Sequence, residues 1–145
     1  TALDTTGYAP REVLMGLTPE VDLFLYDLKL MDDDRHRRCT GVSNRLILEN
    51  LAWVAAHGRA LVVRVPLVPG LTDDEANLRA AADFLARRAR PQRVDVLPFH
   101  RLHHDKFRRL GRPDPLADTP PPTAEAVEAA CAVFAARGLP VAIGG

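Results

Sequence analysis

Apolar runs of strand length alternate with helix-length segments along almost the whole chain, and that alternation leaves few folds open. Val21–Leu28 and Ala60–Val68 are near-continuous apolar runs, as expected of strands buried on both faces. Arg93–Pro98 and Val141–Ile143 read as shorter strands, and Thr1-Ala2-Leu3 as the end of another, running into a turn at Asp4-Thr5-Thr6-Gly7. Helix signals lie between them. Pro10 opens a short helix to about Leu17, as proline does at a first helical position. Asp32-Asp33-Asp34 place acids where a helix N-terminus favours them. Ser43 is the expected cap of a helix from Asn44 to His57, stopped by Gly58, with Ile47, Leu51, Val54 and Ala55 on one face. Thr72 and Glu75 read as a capping box for a helix to about Arg88. Pro120-Pro121-Pro122-Thr123 open a last helix to Arg137, before Gly138. Strands separated by helices indicate parallel βα units, hence an α/β fold of either the TIM-barrel or the doubly wound kind. No G-x-G-x-x-G follows a strand, which weighs against a dinucleotide site.

The 145 residues suit one domain, and 47% hydrophobic with 26% charged residues is a globular composition that excludes disorder and coiled coil. No apolar run approaches the ~20 residues of a membrane span, and the N-terminus lacks a signal-peptide pattern. Acids and bases balance at 19 each, so net charge points to neither nucleic acid nor membrane. The balance is uneven along the chain. Arg87–Arg112 holds nine Lys/Arg against Asp95 and Asp105, either a solvated face or a surface for an acidic partner. Phe99–Pro122 reads as a long proline-rich loop. Cys39 and Cys131, 92 positions apart, form no metal or disulfide pattern and suggest free thiols in a reducing cytoplasm.

In parallel α/β folds, chemistry gathers at the carboxyl ends of strands. Asp4 and Thr5 follow the first strand, Asp27 and Lys29 close the second, Arg64 interrupts the third, and His100 follows the fourth. A charge inside an apolar run is costly unless it is paired. Asp27, Lys29 and Arg64 therefore point at one another, at a ligand or at a metal. Asp4 has the plainer reading of capping the turn to Gly7, and Asp27 with Arg64 that of a structural ion pair. His103 and His104 read as surface residues, His36 and His57 as solvated helical residues, and Trp53 as packing. Two chemistries stay open: a divalent metal on Asp4, Asp27 and His100 for hydrolysis, or a small zwitterion held by Asp27, Lys29, Arg64 and His100.

The motifs taken together resemble the glycyl-radical-enzyme activating enzymes of the radical S-adenosylmethionine (SAM) superfamily. The matching segments are Asp4-Thr5-Thr6-Gly7-Tyr8; Leu25-Tyr26-Asp27-Leu28-Lys29 with Met31-Asp32; Thr40-Gly41-Val42-Ser43-Asn44 with Ile47-Leu48-Glu49-Asn50-Leu51; Arg64-Val65-Pro66-Leu67-Val68-Pro69-Gly70 with Thr72-Asp73-Asp74; and Leu97-Pro98-Phe99-His100 with Lys106 and Leu110-Gly111. They cover nearly the whole chain in order. The resemblance implies the C-terminal half of a partial TIM-type (βα)6 barrel, with parallel strands and flanking helices. It implies SAM as cofactor and a [4Fe–4S] cluster on a C-x-x-x-C-x-x-C loop upstream of Asp4, absent from this chain. Reductive cleavage of SAM yields a 5′-deoxyadenosyl radical, which takes a hydrogen from a glycine of a partner such as pyruvate formate-lyase. An electron donor such as flavodoxin or ferredoxin is implied too. By match, Asp27, Lys29, Arg64 and His100 would line the SAM pocket. Asp4, Thr5, the Leu25 carbonyl and Asp27 would hold a monovalent cation. The start in mid-strand and the missing cluster loop lead to the expectation of a fragment, inactive alone, that self-associates through its open edge. A metal-dependent hydrolase and a non-catalytic binding domain are the rival readings.

Overall fold

The computed structural model describes residues 1–100, 111 and 113–144. The elements are β1 (Ala2–Thr5), α1 (Arg11–Leu17), a 3-10 turn (Thr18–Glu20), β2 (Leu23–Asp27), α2 (Asp33–Thr40), α3 (Arg45–His57), β3 (Leu61–Leu67), α4 (Glu75–Phe84) running into a π turn (Leu85–Ala89), β4 (Arg93–Pro98), α5 (Ala124–Ala135) and β5 (Val141–Ile143). The five strands are all parallel and lie in the order β1-β2-β3-β4-β5.

That order decides between the two architectures left open by the strand–helix alternation, in favour of the barrel that the resemblance implies. A doubly wound sheet reverses its strand order at a switch point and carries helices on both faces. Here the order never reverses, and one apolar core joins a single face of the sheet to the helices. Phe24, Tyr26, Val63, Val65, Leu67, Val94 and Val96 supply the strand side, and Leu14, Ile47, Leu51, Val54, Leu78, Leu85, Val127 and Phe134 the helix side. All crossovers therefore pack on one side, as in a consecutive arc of a βα barrel.

Strand residues alternate between faces. The residues between the core positions, Asp4, Leu25, Asp27, Val62, Arg64 and Asp95, thus share the opposite face. The register aligns Asp4 with Leu25, Asp27 with Arg64, and Arg64 with Asp95.

Helix starts follow local chemistry, with two corrections to the sequence reading. Asp32 caps α2 by accepting from the Arg35 N–H at 2.7 Å, and Thr123 caps α5 by accepting from that of Ala126 at 3.2 Å. The cap of α4 is Asp74, which accepts from the Asn77 N–H at 3.0 Å, so Thr72 and Glu75 form no capping box. The Thr72 hydroxyl donates to the Pro66 carbonyl at 2.6 Å and accepts from the Val68 N–H at 2.9 Å, closing the turn after β3 instead. The cap position of α3 is Asn44, without a side-chain cap bond. Ser43 donates to Asp33 at 2.7 Å and accepts from the Arg45 N–H at 3.2 Å. No helix among the described residues is long and apolar enough to cross a membrane.

Candidate functional site

The charges that interrupt the strands meet at the carboxyl edge of the sheet. Arg64 Nε and Nη2 reach one oxygen of Asp27 at 2.8 Å and 2.7 Å. Its Nη1 donates to Asp4 Oδ2 at 2.8 Å, and Nη2 also bonds the other Asp4 oxygen. Lys29 Nζ stands 3.7 Å from the second oxygen of Asp27. One guanidinium thus bridges acids from two strands, with a loosely attached ammonium beside them. The hydrogen bond to Asp4 is the first cause of an Arg64 pKa above its ordinary value, with Asp27 adding to it. Further along the register row, Asp95 is 9% exposed and takes both its contacts from Arg93, at 2.5 Å and 3.0 Å.

The outer pair of this array is a poor stabiliser: the Asp4 side chain is 63% exposed, and pairs in that setting contribute only about 0–1 kcal/mol. Two acids and two bases side by side at the strand ends form a donor set suited to a ligand of mixed charge.

Three buried asparagines shape the loops that carry these groups. Asn50, fully buried on α3, donates to the Gly7 and Ala9 carbonyls at 2.8 Å and 2.9 Å and accepts from Arg11 Nε at 2.7 Å. Gly7 takes φ +69° and lies flat on Tyr26, where a Cβ would fall 1.6 Å from the phenol oxygen. Only glycine fits there. Thr5 accepts from the Gly7 N–H at 2.9 Å, so the turn holds Asp4 and Thr5 at the edge. Asn77 donates to the Lys29 and Thr72 carbonyls at 3.1 Å and 3.0 Å and accepts from the Met31 N–H at 2.9 Å. Asn44 donates to the Leu30 and Met31 carbonyls at 2.9 Å and 2.8 Å. Each amide replaces ladder partners that the backbone lacks once the strand ends.

The structure thus brings Asp4, Asp27, Lys29 and Arg64 together, with Leu25 in register beside Asp4. It does not draw in His100, which is exposed just beyond β4; among the described residues no hydrogen bond or ion pair joins it to the array. No group of three or more His, Cys, Asp or Glu there could hold a metal ion, which leaves the divalent-metal arrangement of Asp4, Asp27 and His100 without support. His36 corrects the sequence reading: it is 4% exposed rather than solvated, because its ring turns inward to the Val42 carbonyl at 2.8 Å. His57 is exposed and stacks on Trp53 at 4.5 Å between centroids; Trp53 also packs on the core. Cys39 is exposed and Cys131 half-buried, both free. Arg87, Arg88 and Arg90 are exposed at the end of the α4 π turn, just before β4 and so near the amino edge. His103, His104, Lys106 and the rest of that basic segment to Arg112 lie outside the described residues.

Asp95 and the three asparagines escaped sequence reasoning. Asp95 breaks the apolar strand Val94–Leu97 as Asp27 breaks its own. Asn50 stands beside Leu51 in the apolar stripe of α3, a polar residue at a core position.

The chain and its fold have counterparts among known proteins. The chain is 40% identical over 127 residues to the choline trimethylamine-lyase activating enzyme of Oleidesulfovibrio alaskensis, covering 83% of this chain and 40% of that protein. It is 34% identical over 146 residues to the trans-4-hydroxy-L-proline dehydratase activating enzyme of Clostridioides difficile, covering 99% and 48%. The crystal structure of a domain of pyruvate-formate lyase-activating enzyme from Bacteroides vulgatus superposes with a TM-score of 0.82 at 31% identity, over 99% of this chain and 80% of that one. The chain spans less than half the length of these two curated relatives. No family model matches it.

Proposed function

The chain belongs to the activating enzymes of glycyl radical enzymes, and from that membership we propose that it forms the SAM-binding part of a radical SAM activase, whose partner is a glycyl radical enzyme of the pyruvate formate-lyase kind. The observation that carries the reading is the Asp4–Arg64–Asp27–Lys29 array at the carboxyl edge of the sheet. The methionine end of SAM bears an ammonium and a carboxylate, and this donor set matches both. Asp27 and Lys29 lie against that end, Arg64 takes part of the carboxylate, and His100 lines the nucleoside side. Asp4, Thr5, the Leu25 carbonyl and Asp27 hold a monovalent cation beside the carboxylate. Arg64 bridges both acids, so a carboxylate ligand that takes the guanidinium draws it off at least one of them, and a cation then restores the balance.

Bound SAM supplies, on one-electron reduction, the radical that removes a hydrogen from the partner's glycine. This chain's residues orient it and match its charge. They do not fit the [4Fe–4S] cluster. Cys39 and Cys131 sit on α2 and α5, and no cluster of metal-ligating residues exists among the described ones. The cluster ligands belong to residues outside these 145, and a flavodoxin or ferredoxin is the electron donor. Free cysteines accord with a reducing cytoplasm.

The test is anaerobic reconstitution of the full-length protein with iron and sulfide, followed by SAM and a strong reductant. 5′-Deoxyadenosine forms, and Asp27→Ala or His100→Ala abolishes it. A cluster-loaded protein that makes none overturns the reading.

A further inference from the structure

Lys29 of the charged array also walls a cavity of about 280 Å3, together with Thr6 and Tyr8 of the turn after β1 and His36 and Thr40 of α2, with Val42 and Ile47 as its apolar part. Among the described residues its lining holds one cation and no acid.

His36 is the unusual wall. The residue is 4% exposed, and its Nδ1 lies 2.8 Å from the Val42 carbonyl and 3.0 Å from Thr40 Oγ1. The Thr40 hydroxyl donates its proton to the His36 carbonyl at 2.8 Å, so both neighbours of Nδ1 are acceptors. Nδ1 therefore carries the proton, and in the neutral ring Nε2 is an acceptor. Nε2 has no protein partner among the described residues. No buried side-chain nitrogen or oxygen of the described residues is left unsatisfied, so Nε2 reaches accessible space, and the space that His36 lines is this cavity. A histidine so enclosed, with its tautomer set from behind and its free nitrogen toward a cavity, is built to receive a hydrogen bond from a ligand. Lys29, held only loosely at 3.7 Å from Asp27, stands between the proposed SAM site and this cavity and has three ammonium protons to share between them.

We propose that this cavity binds a carboxylate that carries a hydrogen-bond donor beside it, with Lys29 taking the carboxylate, His36 Nε2 taking the donor, and Val42 and Ile47 covering the aliphatic part. The Thr6 and Tyr8 hydroxyls complete the polar side. Two sources have this chemistry: an acidic residue of a polypeptide, whose backbone N–H is the donor, and a free hydroxy acid.

The experiment titrates the full-length protein calorimetrically with a capped aspartate (N-acetyl-L-aspartate N-methylamide), with L-malate and, separately, with SAM. The key variant is His36→Asn, whose amide N–H can keep the bond to Val42 while nothing replaces Nε2. The expected result is saturable binding of one probe, weakened about tenfold or more by His36→Asn, with melting temperature and SAM affinity unchanged. Binding of the capped aspartate identifies a polypeptide ligand, and binding of malate a free acid. The proposal is overturned if neither probe binds, if His36→Asn binds as well as wild type, or if SAM affinity falls in parallel, which would make the cavity one end of the cofactor site. Wild-type protein that binds a probe but not SAM would remove the activase reading and leave this site standing.

Discussion

On the helix-covered face of the sheet, Phe24, Tyr26, Val63, Val94 and Val96 are fully buried. One residue along each strand, the other face holds Asp4, Asp27, Arg64 and Asp95. The same five strands build a core on one side and a charged floor on the other, because a step of one residue along a strand changes face. The two faces are stabilised differently. The core gains from burial, at about 25 cal/mol per Å2 of apolar surface. The charged floor gains little from its exposed Arg64–Asp4 pair, whose partners a ligand can replace at small cost.

The sharpest way to break that contrast is to truncate adjacent residues of one strand. Phe24→Ala opens a cavity under α3 and costs about 3–5 kcal/mol. Leu25→Ala, on the half-exposed face, costs about 1 kcal/mol or less. Urea unfolding of both variants checks this, and equal losses would mean that the two faces are not distinct. The next effect down is Asn50→Ala. It leaves the Gly7 and Ala9 carbonyls without their donor and costs about 1–3 kcal/mol. Because the turn also positions Asp4 and Thr5, this core-side change lowers SAM affinity, which a purely structural asparagine would not do.

The smallest effect is a matter of pH. Asp33 at the start of α2 is held at about 2, below the ordinary 3.8, first by the Ser43 hydroxyl and then by the Asn44 N–H. A folded-state pKa below the unfolded one contributes stability that is complete above the unfolded value and lost as pH falls through the folded one. The contribution of Asp33 is therefore full above pH 3.8 and disappears toward pH 2. Asp33→Asn flattens that limb of the stability curve, as thermal melts from pH 5 down to pH 2 would record.

Much of this was legible in the sequence for physical reasons. Apolar runs of strand length and helix stops at glycine revealed the βα alternation, and charges inside Val/Leu runs revealed Asp27 and Arg64. The choice between barrel arc and doubly wound sheet was not legible in the periodicity, since strand order is a long-range property; only the motif resemblance implied the barrel. The helix caps were misread at Ser43 and Thr72 because a nearby acid and a carbonyl compete for the same hydroxyl. Asn44, Asn50 and Asn77 were invisible as clamps because their partners are backbone carbonyls 5 to 48 positions away, and backbone groups leave no mark in a sequence. The reading of His36 as solvated fails for the same reason: its anchor is the Val42 carbonyl.

The central claim is that the charged floor, and not the core, is the ligand site. The most direct test is calorimetric titration of SAM into cluster-loaded full-length protein, wild type against Arg64→Gln. Saturable binding in the wild type, at least about tenfold weaker in Arg64→Gln with a melting temperature within a few degrees, is the predicted result. Equal affinity for SAM in the two proteins would contradict it.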